Sequence, residues 1–556
     1  MTATSTSGLD TLVVGIDAMS RDVLSRLPDG TTPTVDALVA GGTSGDLEAQ
    51  LPPWTPSAWP SIYTGVNPGK HGVYGFLRFE GYDWKIVDAT DVREHAIWEL
   101  LSREGYRSVV VNVPVTEPPA AFDGALIPGF TAAESPTCHP DGLLDEVRES
   151  IGEYRLYNTQ LTEGATRDER VDGYEELIHM RGDAFRYLLS REDPDFGFLQ
   201  FQQSDTVFHE FPADDDATSR VYAAIDDEIA RILEDHDPTN VVLVSDHGIG
   251  PCERTEFRAN AFLRDRGYAE TAADAEKPSW SRLATETLRN GERPRRAPSD
   301  GMGDESDARA ESSSVAARAL SAAARVGLTS QRIGAALAVV GLDDAVLRLV
   351  PGDLVRAGSE HVDFGRSQAY VRDRIELGVR INLSGREPAG VVEPEAYDRV
   401  RSELIAALTD LRAPDGDPVF DAVIPREDAF SGPYVDDAPD IITVPKEFDV
   451  FLSASVLDDA FGEPREPWTH KLHGLVAVSG PGIPASETHG AHALDVAPSV
   501  LSLLGAPVSD RMDGSALPVI EETDPTAYPP YAGGGDDADR VGAEVTDRLS
   551  NLGYLE

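Results

Sequence analysis

Cysteine is all but absent from this chain of 556 residues, Cys138 and Cys252 being the only two. Two thiols so far apart build no disulfide framework and fit a reduced compartment. Basic residues are also scarce, 48 against 97 acidic ones, and lysine is rare beside arginine; the formal net charge is −49. Such a charge repels nucleic-acid phosphates and anionic membrane surfaces, so neither partner is expected. No apolar run approaches the roughly 20 residues of a membrane span. The stretch Met1-Thr2-Ala3-Thr4-Ser5-Thr6-Ser7 lacks both a basic region and an apolar core, so a cytoplasmic location is expected. Self-repulsion destabilises so acidic a compact state at low salt, whereas a Debye length of about 3 Å at 1 M screens most of it. A halophilic interior is the simplest explanation, a merely acidic mesophilic protein the alternative. Internal repeats are not evident.

Apolar residues make up 41% of the chain, enough for a large core. Three acidic residues stand at or just beyond the ends of strand-like apolar runs. Asp17 follows Leu12-Val13-Val14-Gly15-Ile16, Asp205 comes four residues after the run Phe196 to Phe201, and Asp246 follows Val241-Val242-Leu243-Val244-Ser245. Open α/β sheets bind ligands outside the carboxyl ends of their strands, so three carboxylates placed this way can meet in one crevice. Asp205 and His209 have the spacing that puts two side chains on one helical face, and Asp246-His247 is an adjacent pair before Gly248. Carboxylate and neutral imidazole suit zinc or manganese. Each pair alone has a plainer reading, a solvated helix face or an Asx-type turn.

Thr55 ends the run Leu51-Pro52-Pro53-Trp54 and is followed by Pro56. Thr then Pro predicts a helix start with Thr55 as N-cap, its hydroxyl beside unpaired backbone N–H groups and the positive end of the helix dipole.

Taken together, these residues resemble a known family. The segment from Leu51 to Gly72 is similar to the nucleophile segment of the type I phosphodiesterase/nucleotide pyrophosphatase branch of the alkaline phosphatase superfamily. Asp17, Asp205-x-x-x-His209 and Ser245-Asp246-His247-Gly248 follow in the family's chain order. The stretch Ala493 to Gly505, with Met512-Asp513-Gly514, resembles its closing helix and turn. The resemblance implies an α/β fold, an alkaline phosphatase-like core with a mostly parallel central sheet flanked by helices. It also implies two divalent metal ions, zinc or manganese. One would be held by Asp17, Thr55, Asp246 and His247, the other by Asp205, His209 and a late histidine, for which His470 is favoured and His473 is the alternative. His489 and His492 read as surface or capping residues and His71 as structural.

The activity implied is hydrolysis of a small-molecule phosphate ester, a phosphodiester above all, through a phosphothreonine on Thr55. Two metals about 3.5–4 Å apart clamp the attacking and leaving oxygens of an in-line displacement, and metal coordination activates a hydroxyl. A phosphomutase or phosphotransferase of the same superfamily, and a catalytically silent ligand-binding protein, are the competing readings. A sulfatase reading is weak, because Cys138-His139-Pro140-Asp141-Gly142 lacks the arginine of that motif. One departure bears on substrate. Nucleotide-cleaving relatives carry an Asn twelve residues after the Thr-Gly threonine; here Thr64 leads to Phe76. Lys70 or Arg78 is a candidate replacement contact, and Phe76 a candidate apolar or base-stacking wall.

The expected organisation is a catalytic core in two parts, 1–265 and 456–520, interrupted by an irregular and helical insertion (266–361) and an α+β lobe (362–455), with a tail over 521–556. Within it, Ser314 to Leu349 reads as helical, Pro394 to Leu411 as a helix, and Gln368 to Val371, Val379 to Leu383 and Ile441 to Val444 as strands. A lobe inserted there could overhang the metal site and help choose the alcohol portion of the substrate.

Overall fold

The computed structural model describes residues 8–158, 165–272 and 361–531. Its main sheet is built from β1 (Thr11–Ile16), β2 (Thr43–Glu48), β3 (Ser108–Val111), β4 (Gly124–Ile127), β5 (Phe196–Phe201) and β6 (Asn240–Val244). After β6 come β7 (Gly248–Pro251), β8 (Trp468–Lys471), which pairs with β7 outside the main sheet, and β9 (His473–Ser479), which returns to it. The order is β2-β9-β6-β1-β5-β3-β4, with the short strands Ser486–Glu487 and Ala491–His492 both on β2. β6, β1, β5, β3 and β4 are mutually parallel. β9 runs against both of its neighbours.

Covered on both faces, these strands carry near-continuous Val, Leu, Ile and Phe instead of alternating with polar residues. Leu12, Val14 and Ile16 face one core layer and Val13 the other. The first layer is closed by α2 (Arg167–Glu192) and α4 (Asp215–His236), and the second by α1 (Thr55–Thr64) and α6 (Val496–Leu503). The short helix α3 (Gln203–Glu210) leaves the end of β5. This is the α/β core with a mostly parallel, helix-flanked sheet.

The segment between β7 and β8 carries a separate four-stranded antiparallel sheet, in the order Ala369–Tyr370, Gly378–Ile381, Ile441–Pro445, Phe420–Pro425. Against it α5 (Pro394–Thr409) buries Val400, Leu404 and Leu408. A second apolar seam joins Ile375, Leu377 and Phe448 of this lobe to Trp54, Phe76 and Phe130. The helix expected over 314–349, and most of the insertion expected over 266–361, lie outside the described residues.

Two expectations need correction. The N-cap of α1 is Trp54, whose extended backbone (φ −124°, ψ 143°) starts the helix, so Thr55 is its first residue. Phe76 is no open wall: it is fully buried beneath the lobe, with its ring edge-on to Phe130 at 5.9 Å.

Candidate metal centre

Parallel register brings the strand-end carboxylates together. Ile16 lies opposite Phe201 and Gly15 opposite Val244, so Asp17, the start of α3 and Asp246 emerge at one edge of the sheet. Two groups of ligand atoms result, Asp17–Asp246–His247 and Asp205–His209–His470, each with its atoms within 4.8 Å of one another. In the first, His247 Nε2 stands 3.5 Å from Asp17 Oδ1 and 3.3 Å from Asp246 Oδ2. In the second, Asp205 Oδ1 is 3.4 Å from His209 Nε2 and 3.7 Å from His470 Nε2. The His247 and His470 rings stack at 3.8 Å and link the two groups. His470 is buried on β8, whereas His473 is exposed at the start of β9 and His489 lies at the surface. His492 caps the turn before α6, accepting the Leu494 N–H.

Backbone carbonyls orient two of the imidazoles. A carbonyl only accepts, so His470 Nδ1 donates to Pro53 O (2.9 Å) and His247 Nδ1 to Gly248 O (3.0 Å). Each Nε2 therefore carries a lone pair, and both lone pairs point into the groups described above. His209 Nε2 then meets His470 Nε2 at 3.2 Å.

Thr55 is held by neighbours on both sides. Pro53 receives His470, the Trp54 ring stacks on His470 at 5.4 Å, and Trp59, one turn on, donates its indole N–H to Asp17 Oδ2 (3.1 Å). Thr55 is 1% exposed, and its buried hydroxyl has no hydrogen-bond partner. Asp17 Oδ1, Asp246 Oδ2 and His247 Nε2 are likewise buried without one. Each such atom costs about 1–3 kcal/mol if nothing satisfies it.

Charge points the same way. Burial, then the nearby Asp246 and Asp205 carboxylates, hold Asp17 well above the usual carboxylate range, and burial raises Asp246 as well. Burial also pushes Asp205 up, but the neighbouring His209 imidazole opposes it and that carboxyl is held low. Burial holds His470 well below the ordinary histidine value, keeping it neutral. Crowded buried carboxylates beside imidazoles are the donor set that divalent cations accept, and the residues present fit such ions.

The two candidate replacement contacts are engaged elsewhere: Lys70 Nζ donates to Asp513 and to Arg511 O, and Arg78 pairs with Asp437 at 3.0 Å. Sequence reasoning missed Trp59, Gln200 and the Pro53 carbonyl as partners of the site. Gln200, a lone amide within an apolar strand, carried a usable signal.

The family model of type I phosphodiesterase/nucleotide pyrophosphatase matches residues 11–326, more than half of the chain. The chain belongs to that family. It is accordingly a phosphoric ester hydrolase, of a superfamily that typically depends on divalent metals. No curated protein matches significantly. Among solved structures, alkaline phosphatase PafA is 14% identical with a TM-score of 0.50, over 93% of this chain and 100% of its own, and shows the same fold. Phosphonoacetate hydrolase from Sinorhizobium meliloti, in complex with phosphonoformate, is 15% identical (TM-score 0.49, 90% and 96% covered). Murine ectonucleotide pyrophosphatase/phosphodiesterase 5, inactive and in complex with AMP, is 12% identical (TM-score 0.48, 99% and 100% covered). Among the described residues no helix is long and apolar enough to cross a membrane.

Proposed function

We propose that this family member hydrolyses a small-molecule phosphodiester through Thr55, with Asp17, Thr55, Asp246 and His247 holding one divalent ion and Asp205, His209 and His470 a second. The observation that carries this reading is the buried, unpartnered Thr55 hydroxyl on a segment tethered to both ligand groups. Ions so held, zinc or manganese by their donors, would supply Lewis acidity and offset the negative charge of the phosphoryl oxygens. The residues do the rest. Trp54 and Trp59 hold the start of α1 between His470 and Asp17, which fixes the direction from which Thr55 Oγ meets phosphorus. The Oγ–P bond forms as the P–O bond to the alcohol breaks; the threonyl proton passes to solvent and solvent returns one to the departing alkoxide, so no net proton is consumed. Water then attacks the phosphothreonine, breaking the Oγ–P bond and releasing a phosphomonoester. Two in-line displacements give net retention at phosphorus. The lobe between β7 and β8, which packs on Trp54, would sort substrates by their alcohol portion, and the acidic chain would work in a concentrated-salt cytoplasm.

The test is a panel of phosphomonoesters, phosphodiesters and sulfate esters with the purified protein in high salt, beside metal analysis. Diester turnover that falls by at least roughly 1,000-fold in Thr55→Ala, with metal still bound, is the expected result. Equal turnover in wild type and variant would remove Thr55 from its role.

A further inference from the structure

Asp17 presents one carboxylate oxygen to the candidate centre and spends the other on protein donors. Oδ2 accepts from Trp59 Nε1 at 3.1 Å and from Gln200 Nε2 at 2.8 Å, whereas Oδ1 accepts no hydrogen bond and lies 3.5 Å from His247 Nε2. We propose that Asn112, Gln200 and Trp59 form a buried relay that locks Asp17 as a one-oxygen ligand and ties its position to that of the Thr55 helix. This rests on the reading of Asp17 as a metal ligand.

The orientation of both amides in the relay follows from a backbone carbonyl, and the indole N–H can only donate. Gln200 O can only accept, so the Asn112 side chain beside it must present Nδ2, at 2.9 Å. The same Nδ2 lies 2.8 Å from the Gln200 side chain, which must therefore turn Oε1 toward Asn112. That leaves Nε2 facing Asp17. A flipped amide would set two donors against each other at one end and two acceptors at the other. Asn112 stands just beyond β3 in the left-handed region (φ 64°), where asparagine is several-fold enriched. All four side chains are fully buried, so water does not replace a lost donor cheaply.

Gly15 shows that the arrangement is built. It lies opposite Gln200 in the sheet, and a Cβ there would come within 2.4 Å of the Trp59 ring and 3.2 Å of Gln200 Cγ. Both donors reach Asp17 across the space that the missing side chain leaves. Trp59 follows Thr55 by four residues on α1, so one helix carries both the proposed nucleophile and a donor that fixes the ligand. Outer-shell partners of this kind orient ligands and tune the metal they hold. Trp59 and Gln200 are positioning residues; they touch the ligand and not the substrate.

The experiment compares Trp59→Phe, which keeps the ring and loses the N–H, with Gln200→Met and Gln200→Glu, using Asp17→Asn as reference. Readouts are metal affinity by chelator competition, the visible spectrum of the cobalt-loaded protein, and melting of the metal-free protein. A relay predicts roughly 10- to 100-fold weaker metal binding in Trp59→Phe and Gln200→Met. It also predicts a changed cobalt spectrum in each, and a larger affinity loss in Gln200→Glu, which sets a carboxylate against Asp17. Packing alone would lower the metal-free melting temperature and leave affinity and spectrum as in wild type; that result overturns the relay. If Asp17→Asn itself keeps full metal content, the ligand reading falls, whatever the other variants do.

Discussion

His71 is a buried histidine that the site does not use, and its hydrogen bonds explain why. Nδ1 accepts the Val73 N–H (3.2 Å), so the proton sits on Nε2 and is donated to Ser61 Oγ (2.9 Å), whose own hydroxyl goes to Ser57 O. Both ring nitrogens are occupied within the α1 turn, and burial lowers the ring from 6.5 to about 3. The unfolded chain therefore binds a proton below pH 6.5 that the folded chain refuses until about pH 3. Stability at this position is intact above pH 6.5 and declines with acidification by about 1.4 kcal/mol per pH unit. In His71→Gln the acid limb of the unfolding free energy, measured by urea titration against pH, is expected to be shallower by that slope. Parallel limbs in wild type and variant would contradict the neutral-histidine assignment. His470 contrasts with it: one nitrogen is tied to Pro53 O and the other stands in a ligand group.

At the scale of elements, α1 is anchored at both ends. Pro53 and Trp54 attach its start to His470, while Gly65, the left-handed residue that ends it (φ 71°), accepts the Asp513 N–H through its carbonyl. The lobe reaches the start of the helix through Leu377 and Phe448, which with Trp54 and Thr469 line a common cleft. Leu377→Ala is expected to cost about 3 kcal/mol of stability and to admit bulkier alcohol groups, lowering KM for their esters several-fold with metal content unchanged. Loss of metal in that variant would give the lobe a different role. Much of this was legible in the chain. A carboxylate after an apolar run marks a strand end, which is why Asp17 and Asp246 stood out, and the four-residue spacing of Asp205 and His209 survives intact on α3. Gln200 stands out as a lone amide in an apolar strand, but its partner does not, because the contact with Asp17 depends on the pairing of β1 with β5 across 183 residues. Thr55 was misplaced by one position because cap preferences are statistical, and an extended Trp54 fills the role equally well. The burial of Phe76 under the lobe and the pairing of Lys70 and Arg78, for which a surface role was the other reading, were not legible because Ile375, Asp513 and Asp437 arrive more than 290 residues later.

For the molecule as a whole, charge is the dominant variable. A net charge of −49 makes net self-repulsion among the acidic groups a property of the whole molecule. Several half-buried arginines bind two acids at once, as Arg167 does with Asp214 and Asp216, and pairs so close to the surface contribute about 0–1 kcal/mol each. Salt, which shortens the Debye length to about 3 Å at 1 M, removes more repulsion than attraction in so one-sided a protein. The melting temperature is therefore expected to climb steadily from low to multimolar salt. A flat profile would mean that the acidic excess is neutral for folding.

The placing of β9 imposes an order on synthesis. Residues 473–479 fill the lane between β2 and β6, and His470 lies three residues ahead of them. While a ribosome is still making the lobe, the amino-terminal strands stand as two unjoined pieces and one ligand group lacks a member. Sheet closure and completion of the centre thus belong to the same late moment in the life of the nascent chain.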